Sequence, residues 1–106
     1  MLIQKSSHDA GDVVTFKLTN GDEIVAKIVE IKNDAWHIER PCTVVPGRDG
    51  IMLVASLFTA EPDFHADLMK HHVLLHSATS QQVRDHYIHQ TTGIKPVSAS
   101  SLITGI

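Results

Sequence analysis

Val14-Thr15-Phe16-Lys17-Leu18-Thr19-Asn20-Gly21-Asp22-Glu23-Ile24-Val25-Ala26-Lys27-Ile28 is the stretch that decides the fold. Val14, Phe16 and Leu18 alternate with Thr15 and Lys17, the period of two expected of a half-buried strand. Asn20-Gly21 then supplies residue types that tolerate positive φ, the strongest short-range signal for a hairpin. The return strand, residues 23–31, places Ile24, Ala26 and Ile28 on one face and Val25, Lys27, Val29 and Ile31 on the other. Apolar residues on both faces fit a long bent strand whose halves serve two packing surfaces, and fit a strand buried on both sides equally well.

Downstream, Lys32-Asn33-Asp34 is a second tight turn, and residues 35–45 form a third strand anchored by Trp36, Ile38 and Val44. Pro41 cannot donate to a ladder, so it marks a bulge, an edge or a bend. Pro46-Gly47-Arg48-Asp49-Gly50 is a loop, residues 51–60 the most apolar strand, residues 64–68 a short further one, and Val73-Leu74-Leu75 the last. A helix follows over residues 79–93, capped by Ser80, striped by Val83, Tyr87 and Ile88, and stopped by Gly93. The implied organisation is a flexible, extended or mobile lead-in over residues 1–12, a β domain over 13–78, the helix, and a tail over 94–106. The fold class is all-β: a small, strongly bent, five-stranded antiparallel sheet with one C-terminal helix.

Composition sets the outer bounds. The chain has 106 residues, enough for one core, and is 42% hydrophobic and 20% charged, a globular balance. Apolar residues nowhere run for the roughly 18 positions of a membrane span, and the opening residues lack the apolar core of a signal peptide, so a cytoplasmic protein with no membrane association is expected. The single cysteine, Cys42, excludes an internal disulfide and reads as a small buried hydrophobe. A net charge of −3 gives no global attraction for nucleic acid, so phosphate contacts would need a local basic cluster.

Catalytic and metal-binding chemistry find little support. There is no nucleophile elbow, phosphate-cradling glycine loop or nucleophile beside an evident base, and Asp63 and Asp67 flanking His65 is a common loop arrangement. Eight histidines are present. His86 and His89 share a helix face, and His65, His71, His72 and His76 surround the last strand, but none has the spacing of a metal motif. No enzyme activity, metal or cofactor is expected.

The hairpin with its long bent strands, and a last pair of strands joined by a brief polar turn, resembles the Sm-like (LSm) family over roughly residues 13–77. Gln90-Thr91-Thr92-Gly93-Ile94 after a helix is similar to the ending of Sm-like proteins from tailed phages and marine metagenomes. The resemblance implies an open barrel, and rings of five to seven copies in which the fourth strand of one subunit pairs with the fifth of the next. Such closure removes exposed sheet edges. Ile51-Met52-Leu53-Val54 and Val73-Leu74-Leu75 are the corresponding edges here. It also implies single-stranded, uridine-rich RNA held at the pore by two turns, whose matching positions are Asn33, Asp34 and Trp36, and Lys70, His71 and His72. Base stacking, base-edge hydrogen bonds and a cation are what such binding uses. The first turn departs from the family's Asp-x-x-Met-Asn and the second from its Arg-Gly. A ring acting as a scaffold or protein-binding adaptor without RNA is therefore the alternative function.

Overall fold

The computed structural model describes residues 8–92. The first part of the lead-in, Gly93 and the tail lie outside the described residues. Strand β1 (Val13–Leu18) pairs antiparallel with β2 (Glu23–Ile31) in the register Phe16↔Ile24 and Val14↔Ala26. The turn differs in detail from the sequence expectation. Only Gly21 takes a positive φ, +96°, while Asn20 works through its side chain, whose oxygen accepts from the Asp22 amide at 2.9 Å. An asparagine can close a turn by that bond without left-handed backbone. The lead-in is also tied down where it meets β1: the Gly11 amide donates to the Ile28 carbonyl at 2.7 Å, and the Ile28 amide to the Asp12 carbonyl at 2.9 Å.

Two bulges interrupt the pairing of β2 with β3 (Ala35–Gly47). One makes Val29 the extra residue of β2. The other sets Arg40 and Pro41 against Ala26 alone. Arg40 has φ +50°, the one described residue other than glycine in the left-handed region. Because side chains alternate with period two, a single inserted residue exchanges the faces of all that follows. Trp36 and Ile38 accordingly join Val14, Phe16, Ile24, Ala26 and Ile28 on one face, whereas Cys42 packs with Val13, Val25, Leu53 and Tyr87 on the other, with Val44 partly buried beside them. The apolar residues on both faces of β2 thus serve two cores. Cys42 is buried as expected, and burial pushes its thiol up to about 11.

The bulge also divides the outer edge of β3. Strand β4 (Gly50–Ala55) pairs with its second half, to Cys42↔Ala55, and β5 (His65–Met69) with its first half, from Ala35↔Met69 to Glu39↔His65. The expected 51–60 strand therefore ends at Ala55: beyond the bulge that edge belongs to β5, and the Ser56 amide turns to the Pro41 carbonyl at 3.0 Å. A short 3₁₀ helix, Lys70–His72, leads into β6 (Val73–Ala78), which returns to β1 in the register Phe16↔His76. All six segments read as strands form, one more than the five-stranded sheet of the implied fold class, in the order β4-β3-β2-β1-β6 with β5 on β3, and β4 and β6 do not pair. The sheet is mostly antiparallel and open.

Helix α1 (Gln81–Thr91) begins as its sequence indicates, with the Ser80 hydroxyl accepting from the Val83 amide at 3.4 Å. Val83, Tyr87 and Ile88 lie against the second core. Among the described residues no helix is long and apolar enough to cross a membrane.

Candidate functional site

The two turns singled out in the sequence meet. The Lys70 amide donates to the Asp34 carbonyl at 2.9 Å, and the Lys70 ammonium stands 5.2 Å from the centre of the Trp36 ring, within cation–π range. Asn33 is the exposed neighbour of Asp34 in the β2–β3 turn. His71 follows Lys70, its ring 4.2 Å from that of His72, and the His72 carbonyl accepts from the Thr19 amide at 2.8 Å. The long-range pairing of β5 with β3 creates this convergence, since Ala35↔Met69 places the two turns side by side.

Trp36 is 7% exposed. Phe16 packs 5.0 Å from its ring and His76 5.2 Å, edge-on. It forms the floor of a hollow of about 470 Å3 whose rim includes Ile31, Lys70, Val73, Leu74 and His76. His76 is the member of this group that sequence reading missed. Its position depends on the register of β6 against β1, sixty residues away in the chain, and no local pattern encodes that.

The opposite side of β3 and β5 carries a strip of charge. Asp67 accepts from His37 at 2.7 Å and from the Lys32 ammonium at 3.1 Å, and these two bonds hold its carboxyl below the usual range. His65 lies 3.2 Å from Glu39. The histidines are distributed: His37 and His65 on this strip, His71 and His72 in the 3₁₀ turn, His8 and His76, 2.9 Å apart, beside Trp36, and His86 and His89 on α1. Among the described residues no three histidine, cysteine or acidic side chains are grouped to hold a metal ion.

Where α1 crosses the Arg40–Pro41 bulge, Tyr87 is buried and its hydroxyl closes the gap in the ladder. It accepts from the Lys27 amide at 3.1 Å and reaches the carbonyls of Glu39 and Arg40 at 3.1 and 3.0 Å. Burial, and next the nearness of Cys42, push the phenol up. Nearby, the Gln90 amide donates to the Leu53 carbonyl at 3.0 Å. Models of known protein families and curated proteins give no match to this chain.

Proposed function

We propose that the chain is an Sm-like subunit of a homo-oligomeric ring that binds single-stranded RNA beside the paired turns. The observation that carries the reading is the convergence of the 33–36 and 70–72 segments around the Lys70–Trp36 contact. In this reading Lys70 neutralises a backbone phosphate, Asn33 and Asp34 offer hydrogen bonds to a base edge, and the exposed His71 ring is a stacking surface. Trp36, closed in by Phe16 and His76, holds Lys70 in place and floors the hollow rather than stacking a base itself.

Ring assembly is supported by the two open ends of the sheet. Ile51 and Met52 on β4 are exposed, as are Leu74 and Leu75 on β6 at 64% and 69%, and an apolar strand with one free edge favours pairing with another chain. The β4 edge of one subunit pairs with the β6 edge of the next. These are the edges expected as fourth and fifth, renumbered by the separate β5.

Fluorescence anisotropy of labelled oligouridylate, followed against salt, tests the RNA reading. Binding that weakens with salt is expected, and Lys70→Ala should lower affinity and reduce the slope of log K against log salt by about 1. No binding at low salt would refute it and leave the scaffold reading.

A further inference from the structure

We propose that the hollow between α1 and the Arg40–Pro41 bulge is a binding site for a phosphate group. This hollow, of about 150 Å3, lies on the helix-covered face of the sheet and is independent of the Trp36 region and of the ring reading. Lys27, Arg40 and Arg84 line it, three of the nine lysines and arginines in a chain of net charge −3. Glu39 is the one carboxylate in its wall.

The Glu39 carboxylate gathers the cations rather than cancelling them. Its Oε2 lies 4.0 Å from the Lys27 ammonium and 3.5 Å from Arg40 Nη1, while Oε1 faces His65 at 3.2 Å. Arg84 has no carboxylate partner among the described residues. Three cations against one carboxylate leave a local excess of two positive charges, and two of the three are guanidinium forks, the geometry that suits a tetrahedral oxyanion. Val13 and Ile88 supply apolar wall, while Lys27, with 48% of its side chain exposed, and Arg84 remain open to solvent and to an incoming anion.

The C-terminal end of α1 would oppose an anion through its exposed carbonyls. Here two carbonyls near that end, those of Tyr87 and Ile88, are bonded to side-chain hydroxyls. The Thr91 hydroxyl donates to the Tyr87 carbonyl at 2.7 Å, and the Thr92 hydroxyl to the Ile88 carbonyl at 2.8 Å. The left-handed backbone of Arg40 belongs to the bulge, a feature that redirects a side chain relative to the regular strand. Tyr87 holds that backbone in place through the Arg40 carbonyl.

The test titrates inorganic phosphate into the 15N-labelled full chain, with sodium chloride at equal ionic strength as the control, reading the arginine side-chain Nε–H resonances. Saturable shifts of Arg84 and Arg40 in phosphate but not in chloride are expected. Arg84→Gln and Lys27→Gln should each weaken binding about tenfold, the loss expected for one charge-assisted contact. Arg48→Gln, in the β3–β4 turn, should bind as wild type does. An unchanged amide spectrum elsewhere shows that each variant is folded. Shifts that do not saturate, or that chloride reproduces, would overturn the proposal, as would wild-type affinity in both Arg84→Gln and Lys27→Gln. Labelled oligouridylate identifies the source of the phosphate: weaker RNA binding by Arg84→Gln assigns the site to a nucleic-acid backbone, and unchanged RNA binding with weakened phosphate binding assigns it to a free phosphate.

Discussion

Replacing Tyr87 with phenylalanine removes one oxygen and leaves the ring, so the buried apolar contact with Val25, Cys42 and Leu53 persists. What disappears is the group that closes the bulge. The Lys27 amide loses its acceptor at 3.1 Å, and the Glu39 and Arg40 carbonyls lose their donor. A polar group left unsatisfied away from water costs about 1–3 kcal/mol. Domains of this size are stable by only about 5–15 kcal/mol, so the change is a sizeable fraction of the whole. At about 4–8 °C per kcal/mol, a loss of about 2 kcal/mol lowers Tm by about 8–16 °C. Tyr87→Ala should cost about 3–5 kcal/mol, because it also opens a cavity between helix and sheet. Urea denaturation followed by circular dichroism measures both. Amide exchange at Lys27 supplies the local reading: in Tyr87→Phe it should accelerate more than exchange at Ile28, whose amide bonds to the Asp12 carbonyl. A Tyr87→Phe stability within about 0.5 kcal/mol of wild type, with Lys27 equally protected, would refute the role of the hydroxyl.

Other expectations concern pH, the first hairpin and the core. Burial raises the Cys42 thiol from 9.0 to about 11, so the folded state favours the neutral form. Its contribution is present in full below pH 9 and is lost as pH rises through about 11, and Cys42→Ala should flatten the alkaline decline in stability that begins near pH 9, before Tyr87 contributes. Gly21→Ala meets open space but must adopt φ +96°, so it should cost about 1–2 kcal/mol by urea denaturation. Phe16→Ala, beneath Trp36, should cost about 3–5 kcal/mol and shift the Trp36 fluorescence as the ring pair is broken.

The local parts of this molecule were written in local patterns. Alternation from Val14 to Leu18, the Asn20-Gly21 turn and the Ser80 cap each act over a few residues, and the elements they predict are present. Pro41 was recognised as a bulge, edge or bend, but the reversal of faces there depends on the backbone of Arg40, a residue type with no preference for positive φ. For the same reason the division of β3's edge between β4 and β5 is not legible in the sequence, and the strand after Gly50 ends at Ala55, short of its apolar run. Asn33, Asp34, Trp36, Lys70 and His71 were brought into view by the family resemblance, and the pairing of β5 with β3 places them together. His76 and the Lys27–Arg40–Arg84 group come from elements far apart in sequence, and only the assembled sheet and helix unite them.

Size-exclusion chromatography with multi-angle light scattering at micromolar protein most directly tests the central claim that the open edges of β4 and β6 close a ring. A single species of five to seven times the 11.7 kDa chain mass is predicted, dissociating when Leu74→Glu and Leu75→Glu are combined. A wild-type protein that elutes as a folded 11.7 kDa monomer would contradict it.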